Sequence, residues 1–76
     1  MSNIPLKVKQ AAGGLIAEYG DNIKHIGEYK GKEAYLFRFP KDIEVGFPVY
    51  FLYDGKHVDT ITGFEALRLG SIFFKD

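Results

Sequence analysis

Apolar residues spaced three and four apart over positions 4–19 predict an amphipathic N-terminal helix. The positions on this apolar stripe are Ile4, Val8, Ala11, Ala12, Leu15, Ile16 and Tyr19. Asn3 is expected to cap the helix, Pro5 to lie in its first turn and Gly20 to end it. The pair Gly13-Gly14 interrupts the pattern, and each glycine costs about 1 kcal/mol relative to alanine. Either the helix breaks there or the glycines allow close packing on the sheet, and we favour close packing.

The next strand-like segments, residues 23–29 and 33–39, predict a first β-hairpin. The turn Tyr29-Lys30-Gly31-Lys32 separates them, and Pro40, which cannot donate to a strand ladder, ends the second strand.

Two registers are open for this hairpin. A two-residue loop would place Glu28 opposite Glu33, which is an unfavourable like-charge pair. A three-residue loop with Gly31 in the left-handed conformation would pair Glu28 with Lys32 instead. We prefer the three-residue loop.

After a polar connection at residues 41–46, residues 47–53 and 56–62 predict a second hairpin. Asp54-Gly55 between them is typical of a type I′ turn, whose two central residues need positive φ. A two-residue turn there sets five cross-strand pairs, which are Tyr53 with Lys56, Leu52 with His57, Phe51 with Val58, Tyr50 with Asp59 and Val49 with Thr60.

A short C-terminal helix is predicted at residues 63–69. Thr62 and Glu65 have the spacing of a capping box, and Gly70 is expected to end the helix. The tail at residues 71–74 is open between a last helical turn and a short edge strand.

Together these elements predict one α+β domain over residues 1–76, with the N-terminal helix packed on a four-stranded antiparallel sheet. A chain of this length suffices for one domain and not two.

Alternation along the strands indicates that both faces of the sheet are apolar. The N-terminal helix is expected to cover the face that holds Tyr35, Phe37, Phe39, Val49, Phe51, Tyr53 and Val58. The opposite face carries Ala34, Leu36, Tyr50, Leu52 and Ile61, whereas a sheet with one solvated face should be polar there. The C-terminal helix, a second copy of the chain, or another protein or ligand could cover it. The possible interface residues are Leu36, Tyr50, Leu52, Ile61, Phe73 and Phe74.

Composition narrows the classes of function. Ten basic and ten acidic residues give no net charge, which disfavours a nucleic-acid partner. No segment has the roughly 18 apolar residues of a membrane span, and no leader pattern is present, so a cytoplasmic location without a membrane partner is the expectation. The chain has no cysteine, which excludes disulfides and thiolate metal sites. Its 16% aromatic content indicates a core, part of which could form an interface.

Candidate chemistry is sparse. His57 and Asp59 share a strand face, with Tyr50 predicted opposite Asp59, and such a trio could shuttle protons. A polar edge beside a turn is the favoured interpretation. His25 is the only other histidine, and two histidines without ligand spacing do not predict a metal site. We therefore expect no catalytic, cofactor-binding or metal-binding residue, and no cofactor.

The small residues Ala11-Ala12-Gly13-Gly14, followed by a sheet that contains the segment 50–58 (YFLYDGKHV), resemble PepSY-type domains and, more loosely, cystatin-like domains. This resemblance implies peptidase inhibition or regulation, and no functional residue is carried over from it.

The leading hypothesis is a non-enzymatic binding or protein-interaction module. It would self-associate as a homodimer or bind a protein partner through the second sheet face or the C-terminal aromatic tail. The alternatives are a small peptidase inhibitor or regulator, and a small enzyme that uses His57 and Asp59.

Overall fold

The computed structural model describes residues 4–40 and 47–74, which form three helices and four strands. In chain order the elements are α1 (Leu6–Ala11), α2 (Gly13–Tyr19), β1 (Ile23–Tyr29), β2 (Lys32–Phe37), β3 (Val49–Tyr53), β4 (Val58–Ile61) and α3 (Gly63–Phe73). The strands form one antiparallel sheet in the order β1-β2-β3-β4. The α+β fold predicted from the sequence is confirmed. The predicted Asn3 cap and the connection at 41–46 lie outside the described residues.

The N-terminal segment forms two helices where one was predicted, because Ala12 leaves helical geometry with ψ near 8°. Helical hydrogen bonds continue across it, from Ala12 N to Val8 O at 3.0 Å and from Ile16 N to Ala12 O at 2.8 Å. A side-chain carbon on either residue of Gly13-Gly14 would meet no other atom within 4 Å. The expectation of close packing at the glycines is therefore wrong, and the chain bends just before two residues of low helix propensity.

The ends of this helix pair are set by the two residues that the sequence singles out. Pro5 lies immediately before α1 rather than inside its first turn, and its carbonyl accepts the N–H of Val8 at 3.0 Å and of Lys9 at 3.2 Å. Gly20, with φ of 100°, ends α2 as predicted.

The first hairpin has a two-residue loop, so the predicted three-residue loop is wrong. Lys30 and Gly31 both have positive φ, at 50° and 79°, and Glu28 stands opposite Glu33. Positive φ at both central residues gives a turn whose twist matches that of the strands. His25 contacts one member of this pair, with its Nε2 2.6 Å from Glu33 Oε1.

The second hairpin closes through four residues, so the predicted two-residue turn is also wrong. Asp54 Oδ1 accepts the backbone N–H groups of Lys56 at 2.8 Å and His57 at 2.7 Å, which widens the loop. The observed pairs are Tyr50 with Ile61, Phe51 with Thr60, Leu52 with Asp59 and Tyr53 with Val58. This register differs from the predicted one by two residues. Each side chain therefore stays on its predicted face.

Helices cover both faces of the sheet. As predicted, α1 and α2 pack on the face that contains Tyr35, Phe37 and Phe51. The opposite face, with Ala34, Tyr50 and Leu52, packs against Ala66 and Leu69 of α3. Of the three candidate covers for the second face, the structure shows the chain's own C-terminal helix.

The C-terminal helix is longer than predicted. It has eleven residues, continues through Gly70 and includes Ser71 to Phe73 of the tail. Thr62 stands at the N-cap position but its side chain makes no capping hydrogen bond, so this half of the predicted capping box does not form. Gly70 does not end the helix and lies inside it, against Tyr50 of the sheet.

Candidate functional site

Two glycines set how α3 lies on the sheet. A side-chain carbon on Gly70 would lie 2.8 Å from the hydroxyl oxygen of Tyr50, and one on Gly27 would lie 2.9 Å from Cε1 of Phe73. Gly27 has φ of 147° and follows an irregularity in the pairing of β1 with β2. These two close contacts place α3 over β1 and β3 on one face of the sheet. They thereby decide which residues of α3 point away from the protein.

The outward face of α3 carries large apolar side chains. Phe64 is 82% exposed, and Leu67 and Phe74 are also exposed. Phe64, Leu67 and Ser71 stand at positions i, i+3 and i+7, which is one stripe of α3, and Phe74 follows the last residue of the helix. Phe47 lies beside Phe64, with ring centroids 5.4 Å apart and planes at 71°. We call Phe47, Phe64, Leu67 and Phe74 the α3 ridge.

The α3 ridge is a substantial apolar surface for a chain of this size. Its four side chains leave about 400 Å² of apolar area in water, taking aromatic side chains at roughly 200 Å² each. Monomeric proteins rarely expose contiguous apolar patches larger than a few hundred Å², and the largest patch is often functional. The ridge is therefore a candidate interaction surface.

The opposite flank of α3 borders a groove of about 280 Å³, which we call the α3 groove. Its lining consists of Tyr29, Lys30, Leu52, Ile61, Glu65, Arg68 and Leu69. Apolar side chains from β3, β4 and α3 thus meet the end of the first hairpin, where Lys30 Nζ lies 5.3 Å from the centre of the Tyr29 ring. Two cationic side chains and one carboxylate share this lining.

Five of the six residues predicted as a possible interface belong to the interior layer between the sheet and α3. Tyr50 is 2% exposed and Leu52 is buried, while Leu36, Ile61 and Phe73 are half-buried. Only Phe74 is exposed, and it belongs to the α3 ridge. Burial also raises the pKa of the Tyr50 hydroxyl.

Sequence reasoning missed Phe47, Phe64 and Leu67. Phe64 and Leu67 lie on a second apolar stripe of α3. The first stripe, which faces the sheet, consists of Ala66, Leu69 and Phe73. The second stripe emerges only when the helix is recognised as eleven residues long, because seven residues contain too few turns to show two stripes.

The residues predicted to share a strand face near His57 are separated in the structure. His57 lies in the turn with its side chain 81% exposed, and its Nδ1 is 3.8 Å from Asp54 Oδ2. Asp59 instead accepts a hydrogen bond from Lys32 Nζ at 3.0 Å, which raises the pKa of that lysine. Tyr50 stands opposite Ile61 and not opposite Asp59. This arrangement does not favour acid–base chemistry, which requires groups that converge on a substrate.

Over residues 4–40 and 47–74, no three side chains of the His, Cys, Asp or Glu types come together as metal ligands. Within the same ranges, no helix combines the length and the hydropathy that crossing a bilayer requires.

No protein-family model, curated protein or solved structure matches this chain. The resemblance to PepSY-type and cystatin-like domains, and the peptidase-related function that it implies, stay predictions.

Proposed function

We propose that this chain is a non-enzymatic protein-interaction module that forms a homodimer through the α3 ridge. The observation that carries the proposal is Phe64, a large aromatic residue that is 82% exposed beside Phe47. Both sheet faces already pack against helices of the same chain, so the surface that we assign to a partner is the ridge and not the sheet.

The area of the ridge favours a second copy of the chain. A standard interface buries about 800 Å² per partner, of which somewhat more than half is apolar. The ridge supplies about 400 Å² of apolar area, which is close to that share. A two-fold axis near the middle of the stripe would place two α3 helices antiparallel, so that each ridge covers the other.

Charge supports the same partner. The ridge residues are all uncharged, and the chain has no net charge, so two copies approach without electrostatic repulsion. Homodimer interfaces are more apolar than transient interfaces, and the ridge consists of apolar side chains. The balanced charge also favours a protein over a nucleic acid as the partner.

Solution mass tests the proposal. We expect the wild-type chain to show twice its 8.6 kDa mass in sedimentation or light scattering at high concentration. Phe64→Glu should shift the chain to the monomer, because it places a charge within the apolar contact. Because Phe64 is exposed, this substitution should leave the circular dichroism spectrum unchanged.

Leu6→Glu is the matched control. Leu6 is an exposed apolar residue of α1, outside the ridge, so a glutamate there should leave the dimer intact. A wild-type chain that stays monomeric over the whole concentration series would overturn the proposal. A dimer that Leu6→Glu dissociates and Phe64→Glu does not would overturn it equally.

A further inference from the structure

The α3 groove has features of a ligand site that is separate from the α3 ridge. Its lining includes Lys30, Arg68 and Glu65. Among residues 4–40 and 47–74, none of these three side chains forms an ion pair within 4 Å, whereas Lys9, Lys32 and two histidines do. Three charges of both signs thus line one concave surface without neutralising each other.

The apolar part of the groove lies beside these charges. Leu52 and Leu69 are buried and form a floor with little open surface, while Ile61 is half-buried and adds apolar surface from β4. The ring of Tyr29 adds an aromatic wall at the end of the first hairpin. Apolar and polar surface contribute about equally to this lining, which suits a ligand that carries both an apolar side chain and charges.

We propose that the α3 groove binds a free α-amino acid with a branched or aromatic apolar side chain. Lys30 and Arg68 receive the carboxylate, and Glu65 receives the ammonium group. The side chain of the ligand lies on the apolar lining.

Charge complementarity selects this class of ligand. A simple carboxylic acid would satisfy the two cations but would face the Glu65 carboxylate, and a simple amine would face two cations. A zwitterion places one charge of each sign on neighbouring atoms and satisfies both requirements. A longer peptide separates its terminal charges along its chain, so it meets both requirements less well.

The volume agrees with this choice. A groove of about 280 Å³ has room on the order of nine water molecules, which is enough for leucine or phenylalanine. Binding would replace those waters with apolar contact on Tyr29 and Ile61, the less buried apolar residues of the lining.

The experiment is an NMR titration of the full chain with L-phenylalanine, N-acetyl-L-phenylalanine and L-phenylalaninamide. L-Phenylalanine should produce saturable shifts at Tyr29, Ile61 and Leu69. The acetylated form lacks the positive charge and the amide lacks the negative charge, so each should bind roughly tenfold more weakly.

Substitutions test the role that we give to each charged residue of the groove. Arg68→Gln should weaken the binding of L-phenylalanine and leave the binding of the amide unchanged, because the amide has no carboxylate. Glu65→Gln should remove the difference between L-phenylalanine and its N-acetyl form. Arg38→Gln is the matched control, since Arg38 is exposed after β2 and does not line the groove.

Three results would overturn this inference. One is the lack of saturable shifts at the groove with L-phenylalanine. Another is equal binding of the blocked analogues, which would indicate a peptide or a neutral ligand. The third is a loss of binding in Arg38→Gln equal to that in Arg68→Gln. Because the ridge and the groove lie on different flanks of α3, the uncharged ridge variant Phe64→Ser should bind L-phenylalanine normally, which separates this test from that of the dimer.

Discussion

Tyr50 and Gly70 meet where α3 crosses the sheet, at a distance that leaves no room for a side chain on the helix. A carbon on Gly70 would lie 2.8 Å from the Tyr50 hydroxyl oxygen, although the next nearest ring atom would be 3.7 Å away. Tyr50 is buried and its ring cannot turn aside freely. Tertiary packing therefore explains a glycine inside a helix, where it costs about 1 kcal/mol relative to alanine.

Replacing Gly70 tests this relationship. Gly70→Ala should lower the free energy of unfolding by about 1–2 kcal/mol, because overpacking against Tyr50 outweighs the gain in helix propensity. In a Tyr50→Phe background the oxygen is gone, so the same alanine should raise the free energy of unfolding by up to about 1 kcal/mol. Urea denaturation of the four proteins measures both changes.

The difference between the two backgrounds is the coupling energy between the residues. If Gly70→Ala changes stability by the same amount with and without the Tyr50 hydroxyl, the close contact does not determine the presence of glycine at position 70.

A second glycine substitution tests the other close contact of α3. Gly27→Ala should lower the free energy of unfolding by about 2–4 kcal/mol. The φ of 147° is one that residues with a side chain rarely adopt, and the added carbon would lie 2.9 Å from Phe73 Cε1. Chemical denaturation monitored by tyrosine fluorescence measures the loss.

Gly14→Ala is the matched control for this substitution. Position 14 lies in α2, and a carbon there meets no other atom within 4 Å. The same chemical change should therefore raise stability, by about 0.5–1 kcal/mol. A loss of stability in Gly14→Ala equal to that in Gly27→Ala would contradict the explanation based on the backbone angle of Gly27 and its contact with Phe73.

The turn at Asp54 should make the free energy of unfolding decrease at acidic pH. The N–H groups of His57 and Lys56 donate to the Asp54 carboxylate and hold its pKa below the ordinary value. Because the folded pKa is the lower one, the stabilisation is complete above the unfolded pKa of about 4 and is lost as the pH falls through the folded pKa. Urea unfolding from neutral pH to about pH 2.5 should show this loss.

Asp54→Asn isolates the contribution of Asp54 from those of the other carboxyl groups. An amide oxygen can accept the same two N–H bonds but does not titrate in this range. We expect the variant to lose less stability than the wild type below about pH 4. Identical pH profiles for the two proteins would contradict the assignment.

Replacing one member of the Glu28–Glu33 pair in the first hairpin should stabilise the protein. Glu28→Lys should raise the free energy of unfolding by about 0.2–1 kcal/mol, because it turns a repulsive cross-strand pair with Glu33 into an attractive one. The gain should shrink in high salt, which screens exposed charges. In a Glu33→Gln background the substitution should have no effect, and a gain of the same size there would refute the explanation.

Much of the architecture follows from local patterns. The bounds of β1, at Ile23–Tyr29, match the prediction, and Gly20 ends the second helix as expected. The assignment of apolar residues to the two faces is also right, although the register of the second hairpin is not. A pattern of period two specifies the face of each residue but cannot distinguish registers that differ by two.

The registers of the two hairpins depend on turn geometry, which the period-two pattern does not specify. Backbone hydrogen bonds to Asp54 set a four-residue loop, and positive φ at Lys30 selects a two-residue loop despite the opposed glutamates. In both cases a few hydrogen bonds and dihedral angles outweigh the pair preferences on which the predictions relied.

The candidate site depends on tertiary structure more strongly. Tyr50 and Leu52, which were predicted at a possible interface, are buried, whereas Phe64 and Leu67 are exposed. The outcome follows from α3, because its length and its contacts at Gly27 and Gly70 decide which stripe faces the sheet.

The amino-acid sequence alone thus determined the class of fold, the order of the elements and the two apolar faces of the sheet, since these depend on periodicity within single segments. Only the tertiary structure decided which helix covers the second face and which aromatic residues remain in water. That choice depends on contacts between Gly70 and Tyr50 and between Gly27 and Phe73, which are far apart in the chain and have no periodic signature.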